Sequence, residues 1–305
     1  MRAYVTGGSG FVGGWLSAHL RECGDDVLLT DAEVDVTDDE ALASSLIPAA
    51  PDVVYHLAAL AHVGGSWADP ARTFEVNALG TLRVLQAAAR CEAPPVVLVV
   101  SSAEVYGHAV AEEPLTEEAE LRPVTPYAVS KVAAEYLALQ AFLGGGLRTV
   151  RVRPFNHVGA GQSPEFVVPA LAQRIARAER AGGGEVRVGN LAASRDFTDV
   201  RDVVRAYRLL AGHALGHPGV AGEVYNVASG RALTIAEVAR MLCAMVSAPV
   251  ELVQDPALFR PVDVPVFVGD AASLRAATGW QPEVPFEATV ADMFDYWRKQ
   301  VAAEV

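Results

Sequence analysis

Short apolar runs alternate with amphipathic stretches over the first half of the chain. The apolar runs predict β-strands, which are Met1–Thr6, Asp26–Thr30, Pro51–Ala59, Pro95–Val100 and Val150–Phe155. The run Pro95–Val100 consists almost entirely of β-branched residues, as expected of a parallel strand covered on both faces. Helices are predicted between the strands, with Phe11–Glu22 and Pro70–Arg90 the clearest. This alternation predicts an α/β fold with a doubly wound parallel sheet, a Rossmann fold with right-handed crossovers.

The pattern changes beyond Asn156. A helix is predicted over 164–180, the glycines at 182–184 interrupt it, and shorter strands and helices then mix to the end of the chain. We expect a Rossmann domain over 1–155, with a segment near 197–228 returning to it, and a smaller C-terminal α/β substrate lobe over 156–305. The sequence contains no long linker, so the two parts are expected to pack together.

Composition excludes several classes of protein. With 51% hydrophobic and 20% charged residues in 305, the chain can bury a large core and is not disordered. A net charge of -13 argues against a nucleic-acid or anionic-membrane partner, which would favour clustered Lys and Arg. Cys23, Cys91 and Cys243 have no metal-binding spacing and indicate reduced thiols. No secretion leader or membrane-spanning run is present, so we expect a soluble, cytoplasmic protein.

The first strand leads into a glycine-rich turn, Gly7-Gly8-Ser9-Gly10-Phe11-Val12-Gly13, at the start of a helix. Backbone N–H groups and the helix dipole at such a turn can bind a pyrophosphate, and the missing Cβ atoms allow close approach. Asp31 follows Gly13 by 18 positions, close to the ~20 at which these folds place a carboxylate on the adenosine ribose. Because that carboxylate would repel a 2′-phosphate, NAD(H) is favoured, with NADP(H) as the alternative.

Two further motifs carry candidate chemistry. Tyr127 and Lys131 are four residues apart at the start of a predicted helix, so the ammonium can lie near the phenol and favour phenolate. Ser102 and Glu104 follow the fourth predicted strand, at the sheet edge where doubly wound folds bind ligands. His56 ends a buried strand and is interpreted as a core histidine, and Trp67 as a packing residue.

Together these motifs resemble the extended short-chain dehydrogenase/reductase family of nucleotide-sugar enzymes, also called the NAD-dependent epimerase/dehydratase family. The resemblance covers nearly the whole chain and implies that Tyr127 is the acid/base. It also implies that Lys131 holds the nicotinamide ribose and lowers the Tyr127 pKa, and that Ser102 hydrogen-bonds the reacting oxygen. Besides Tyr127 and Lys131, the implied cofactor-binding residues are Gly7, Gly10, Phe11, Val12, Gly13, Asp31, Asp35, Val36, Leu57, Ala58 and Ala59.

A closer resemblance is to the GDP-sugar branch of this family. It rests on the stretches 153–162, 166–168, 188–191 and 195–202, and the run 121–131 looks most like the GDP-4-keto-6-deoxy-D-mannose reductases. Arg195 and Arg260 are candidate pyrophosphate clamps, because a guanidinium forms bidentate bonds to phosphate oxygens. The implied substrate-binding set is Asn156, Val168, Arg174, Asn190, Arg195, Arg260 and Asp263. The resemblance also implies a homodimer formed through the helices near 70–90 and 127–143.

The residue after Ser102 discriminates between chemistries. Dehydratases of this family carry an acid or hydroxyl group there, followed by Glu, whereas this chain has Ala103 and Glu104. Since Ala103 has no proton to give, the sequence favours a 4-ketoreductase acting on a nucleotide-activated 4-keto-6-deoxy sugar. Two alternatives stay open: a 4,6-dehydratase or C4 epimerase with tightly bound NAD, and a non-catalytic NAD or nucleotide-sugar binding protein.

Overall fold

A parallel β-sheet is built from the first half of the chain. In this computed structural model, which describes residues 1–30, 34–107, 113–259 and 264–304, its strands are β1 (Arg2–Thr6), β2 (Asp26–Thr30), β3 (Val53–His56), β4 (Val96–Val100), β5 (Thr149–Pro154) and β9 (Val224–Val227). Their order is β2-β1-β3-β4-β5-β9, with every neighbouring pair parallel. The winding direction reverses between β1 and β3, so a ligand crevice is expected outside the carboxyl ends of these two strands.

Helices cover both faces of this sheet. One face packs against α1 (Phe11–Glu22) and α8 (Val200–Gly216), and the other against α2 (Asp39–Ala49), α5 (Gly80–Ala89) and α6 (Pro126–Gly145). Short helices α3 (Gly65–Ala68) and α4 (Pro70–Phe74) precede α5, and a π-helical turn, Glu75–Leu79, joins α4 to α5. The helix predicted over 70–90 is therefore one helical segment whose hydrogen-bond pattern changes in its middle.

The C-terminal lobe has its own hydrophobic cluster. It contains β6 (Asn156–Val158), α7 (Val167–Arg180), β7 (Gly184–Val188), β8 (Ser194–Asp199), β10 (Ala232–Thr234), α9 (Ile235–Cys243), β11 (Val250–Gln254), β12 (Val266–Phe267), α10 (Ala272–Thr278) and α11 (Phe286–Ala303). Strand β8 lies between β10 and β12 and also pairs with β6, while β7 pairs with β11. Apolar residues of α7, α9 and α11 form the cluster together with residues of β6, β7, β8 and β10, whereas α10 packs against α8 and β9.

The fold class predicted from the sequence is confirmed: the structure has the parallel sheet with helices on both faces. Strand β2 and helix α1 have the predicted bounds, whereas the strand predicted over 51–59 is limited to Val53–His56 and the helix predicted from 164 begins at Val167. The division at residue 155 stays a prediction. Of the residues described, no helix combines the length and apolar character needed to cross a bilayer.

Candidate active site

The glycine turn after β1 is shaped by close backbone contacts. Gly7 has φ +70°, and a Cβ there would lie 2.8 Å from the Ala58 nitrogen. A Cβ on Gly13 would lie 2.3 Å from the Gly7 carbonyl oxygen, and one on Gly10 would lie 3.2 Å from the same oxygen. Backbone therefore occupies the space where side chains would otherwise be, and α1 begins directly at Phe11. This cradle fits a dinucleotide pyrophosphate placed at a helix N-terminus.

The turn is fixed to the end of β3 by side-chain hydrogen bonds. The Thr6 hydroxyl lies 2.8 Å from His56 Nδ1 and accepts a bond from the Ala58 N–H at 3.2 Å. Leu57 and Ala59 line the adjoining cavity together with Val12. The strands β1 and β3 thus present the glycine turn and residues 57–59 at the predicted switch point.

The acidic cofactor candidates have different positions. Asp35 accepts hydrogen bonds from the Thr37 N–H and hydroxyl at 2.8 Å each, and these bonds lower its pKa. Val36 is buried. Asp31, on which the preference for NAD(H) depends, lies outside the described residues.

One cavity brings together most of the predicted catalytic and sugar-binding residues. It lies at the carboxyl ends of the sheet strands, and its lining includes Ser102, Glu104, Tyr127, Lys131, Asn156 and Val168. Ser102 and Glu104 follow β4, whereas Tyr127 and Lys131 lie in the first turns of α6. The Thr125 hydroxyl caps this helix by accepting the Ala128 N–H at 3.1 Å, and Pro126 occupies its first turn.

Tyr127 is buried and lines the cavity together with Ser102. Burial raises the pKa of Tyr127 to about 12, although the Ser102 hydrogen bond opposes the shift. The effect of Lys131 on the pKa of this phenol stays a prediction. The Lys131 ammonium lies over the ring, 5.9 Å from its centroid, and burial is the main cause of the raised Tyr127 pKa because it disfavours the charged phenolate. The phenol of Tyr127 is therefore protonated at neutral pH.

Lys131 is also buried and has a specific partner. Its Nζ donates to the Val100 carbonyl at 2.8 Å, at the end of β4. Burial lowers the pKa of Lys131 to about 8, and the charge of Glu135 opposes the shift. At neutral pH the side chain is therefore still largely a cation, held beside Tyr127 in a site shielded from water.

A buried polar network under Tyr127 and Lys131 is absent from the sequence predictions. Glu135 accepts a hydrogen bond from the Ser101 hydroxyl at 2.5 Å and pairs with Arg153 at 2.7 Å. Asn77, in the π-helical turn, donates to the Ser130 hydroxyl at 3.0 Å and bonds both backbone groups of Leu60. The only sequence signal for Glu135 is its position four residues after Lys131 on the same helix face.

Ala103, at the position that was used to discriminate dehydratases from reductases, is part of the cavity wall. Ala103 is buried and begins a short 3-10 turn, Ala103–Tyr106, after Ser102. Glu104 is half-buried, and its N–H donates to Ser102 Oγ at 3.2 Å. Its carboxylate contributes to raising the Tyr127 pKa. The wall thus has a methyl group where a dehydratase would need a proton donor.

The other predicted substrate-binding residues lie at several places outside this cavity. Arg195 lines a second cavity that shares Glu104, Phe166 and Phe267 with the first, and its Nη1 donates to the Val264 carbonyl at 2.7 Å. Arg174 donates to the Arg187 carbonyl at 2.9 Å, and Asn190 accepts the Ala192 N–H at 3.0 Å. Arg174 and Asn190 do not line either cavity. Arg260 and Asp263 lie outside the described residues.

His56 and Trp67, which the sequence analysis interpreted as core and packing residues, lie in different surroundings. His56 is buried between Thr6 and Thr81, which lies 3.0 Å from its Nε2, and burial lowers its pKa to about 3. This matches a core histidine. The interpretation of Trp67 as a packing residue is wrong, since it is 60% exposed at the second cavity. The sequence alone does not show that the short helix α3, which contains Trp67, lies beside the second cavity.

The chain matches a known protein family over most of its length. Residues 29–293 match the family model described as GDP-mannose 4,6 dehydratase. The chain is 39% identical to GDP-6-deoxy-D-mannose reductase from Pseudomonas aeruginosa over 99% of each protein.

Solved structures of similar proteins have the same fold as this chain. The structure of RMD from Pseudomonas aeruginosa complexed with NADPH has a TM-score of 0.89 and 39% identity, with 98% of this chain and 99% of that chain covered. The UDP-glucose 4-epimerase of Thermus thermophilus in complex with NAD has a TM-score of 0.84 and 28% identity over 100% of both chains. Both nicotinamide dinucleotides therefore occur among the similar structures.

Proposed function

Because the chain belongs to the GDP-mannose 4,6-dehydratase family of extended short-chain dehydrogenases/reductases, we propose that it is an NAD(P)H-dependent 4-ketoreductase of a nucleotide-activated 4-keto-6-deoxy sugar. The nucleotide sugar we propose is GDP-4-keto-6-deoxy-D-mannose. The 39% identity to a reductase of a GDP-6-deoxy sugar supports this choice of substrate.

The observation that carries the proposal is the pairing of a protonated Tyr127 with a methyl group at Ala103. Burial raises the Tyr127 pKa to about 12, so the phenol has a proton to donate at neutral pH. Ketone reduction needs one proton donor at the carbonyl oxygen, which Tyr127 supplies. Elimination of water also needs an acid for the leaving hydroxyl, and Ala103 offers none.

The residues of the cavity act in distinct ways on the substrate. A nicotinamide dinucleotide bound in this cavity would supply the hydride that reduces C4 of the keto sugar. Tyr127 gives its phenolic proton to the developing alkoxide, and the Ser102 hydroxyl stabilises that oxygen by a hydrogen bond. Lys131, held by the Val100 carbonyl, is placed to bind the nicotinamide ribose and to stabilise the phenolate that remains.

The substrate is oriented by groups from the smaller lobe. Asn156 and Val168 line the reaction cavity, and Arg195 lines the cavity that continues from it. We assign the pyrophosphate to Arg195 and Arg260, whose guanidinium groups suit phosphate oxygens, and propose Asp263 as a further contact of the nucleotide sugar. Arg174 and Asn190 are kept as weaker substrate contacts, because their polar groups bond the backbone of their own lobe.

Stoichiometric cofactor oxidation tests this function. Purified protein is mixed with GDP-4-keto-6-deoxy-D-mannose and either NADH or NADPH, and absorbance at the nicotinamide band is followed. We expect one cofactor to be oxidised for each sugar reduced, and the ratio of the two kcat/KM values to report the cofactor preference. No net oxidation, together with NAD that copurifies with the protein, would instead identify a dehydratase or epimerase.

We also propose that the protein is a cytoplasmic homodimer. Val129, Tyr136 and Leu143 recur every seventh residue on α6 and are 40%, 57% and 73% exposed. An exposed apolar stripe at this spacing is typical of helix–helix interfaces. Phe74 and Leu79, on the neighbouring helical segment, are also exposed. The free thiols of Cys23, Cys91 and Cys243 support a reducing compartment.

Charge placed on the stripe is expected to separate the subunits. Tyr136→Glu combined with Leu143→Glu should convert a dimer to a monomer in sedimentation velocity, because two carboxylates would be buried at the interface. Leu28→Glu is the control, since Leu28 is 44% exposed on the edge strand β2, away from the stripe. A wild-type protein that sediments as a monomer at micromolar concentration would contradict the dimer.

A further inference from the structure

The buried ion pair below the reaction cavity is placed to support the catalytic groups. We propose that Glu135 is a positioning residue for the reaction: anchored by Arg153, its carboxylate fixes the segment 100–106 that holds Tyr127 and Lys131 in place. This inference rests on the proposed function, because the reaction it serves is ketone reduction at Tyr127.

Glu135 is held from two directions. Arg153 donates three hydrogen bonds to the carboxylate, from Nε at 2.9 and 3.1 Å and from Nη2 at 2.7 Å. The Ser101 hydroxyl donates a fourth, at 2.5 Å. The Glu135 side chain is 0% exposed and that of Arg153 is 5% exposed, so water does not compete for these bonds. Such charge-assisted bonds impose a fixed geometry on their partners.

Ser101 connects Glu135 to the catalytic groups. It lies between Val100, whose carbonyl accepts a hydrogen bond from the Lys131 ammonium at 2.8 Å, and Ser102, which lines the reaction cavity together with Tyr127. The Ser101 N–H also donates to the Val152 carbonyl at 2.8 Å. The bond to Glu135 therefore fixes the side chain of the residue that joins the Lys131 partner, Val100, to the cavity residue Ser102.

Arg153 holds the other end of the same segment. Its Nη1 donates to the Tyr106 hydroxyl at 3.0 Å, and Tyr106 in turn donates to Asn226 Oδ1 at 2.7 Å. Tyr106 ends the 3-10 turn that starts at Ala103. The segment from Ser101 to Tyr106, which contains Ser102 and Glu104, is thus tied at both ends to one ion pair.

A role in stability alone would make the pair replaceable. Buried ion pairs are often exchanged for apolar residues of similar volume with no loss of stability, because desolvating the charges offsets their attraction. A positioning role predicts a different result: apolar replacement restores folding and leaves the segment 100–106 without its anchor. The double replacement Glu135→Leu with Arg153→Met therefore separates the two roles.

The variants are compared by kcat, KM and thermal midpoint. In Glu135→Gln we expect kcat to fall about 100-fold, the loss typical of a misplacement near 1 Å, with KM for the keto sugar little changed because Glu135 does not line the cavity. The double variant should regain the thermal midpoint and keep the low kcat. Recovery of kcat together with the thermal midpoint would overturn the proposal.

Ser101→Ala provides a milder test that does not disturb the ion pair. Loss of a hydrogen bond to a charged group predicts a fall in kcat of about tenfold. Glu179→Gln is the matched control for Glu135→Gln and should leave kcat unchanged. Arg298 holds Glu179 through two bonds of 2.7 Å in the smaller lobe, away from the cavity. Unchanged kcat in Ser101→Ala would overturn the proposal even if both Glu135 variants fail to fold.

Lysine titration provides a readout that needs no sugar substrate. The chain contains two lysines, Lys131 and Lys299, so NMR of 13C-labelled lysine gives two signals, which Lys299→Arg assigns. Lys131 should titrate near pH 8 in the wild type, and lower in Glu135→Gln because the carboxylate favours the ammonium. The other titratable groups near Glu135 and Lys131 are the neutral His56 on β3 and Tyr106 on the turn, and the charged Arg151 and Arg153 on β5.

The NMR and kinetic results separate failure of this inference from failure of the proposed function. An unchanged Lys131 pKa in Glu135→Gln would overturn the positioning role whatever the substrate is. A lowered Lys131 pKa, combined with a wild type that reduces no keto sugar, would support the electrostatic effect of Glu135 on Lys131 and contradict only the ketoreductase assignment.

Discussion

Tyr127→Phe should lower kcat for keto-sugar reduction by about 1000-fold while cofactor affinity is unchanged. The substitution removes the phenolic proton that reaches the developing alkoxide and leaves the ring in place. The residual rate would come from Ser102 and from the binding of both reactants in the cavity. Single-turnover absorbance of the nicotinamide measures the chemical step, and cofactor fluorescence measures affinity separately.

Tyr55→Phe is the matched control for this substitution. Tyr55 is buried on β3, and its hydroxyl has no hydrogen-bond partner among the described residues. Removing that hydroxyl should leave kcat unchanged and should not destabilise the fold, because an unpaired buried polar group is unfavourable. Equal turnover in wild type and Tyr127→Phe would refute the catalytic assignment and favour a non-catalytic binding protein.

Gly13→Ala should weaken cofactor binding by about 100-fold, equivalent to the loss of one or two charge-assisted hydrogen bonds. The new Cβ would lie 2.3 Å from the Gly7 carbonyl oxygen and 2.7 Å from that of Gly8. Since both atoms are backbone, the whole turn must move away from α1. We also expect the free energy of unfolding to fall by about 1–3 kcal/mol, as for other overpacked sites.

Gly14→Ala is the control one residue further along the same helix. A Cβ there meets nothing within 4 Å, so alanine should stabilise α1 by about 0.5–1 kcal/mol without changing cofactor affinity. Fluorescence titration and chemical denaturation of the two variants measure both effects. Equal cofactor affinity in Gly13→Ala and wild type would show that the turn is not the pyrophosphate site.

The strands of the sheet and the residues that carry the candidate chemistry could be predicted from local sequence patterns. Strand β2 and helix α1 have the predicted bounds, because period and turn residues are local properties that neighbours in the chain reveal. The same holds for Gly7–Gly13 and for the Tyr127 and Lys131 pair, whose spacing follows from helix geometry. Ser102 could be placed near them because parallel strands end at the same edge of the sheet.

The protonation states of the site and the hydrogen bonds that hold it in place could not be predicted, because they depend on how distant segments pack together. The Tyr127 pKa is raised because the phenol is buried, and burial depends on segments distant in sequence. The contact between Glu135 and Arg153 joins α6 to β5, and no local pattern pairs these two residues. Trp67 is exposed for a similar reason: the surroundings of a side chain depend on which elements pack around it. The chemical groups are therefore specified locally, while their charge and orientation are properties of the packed molecule.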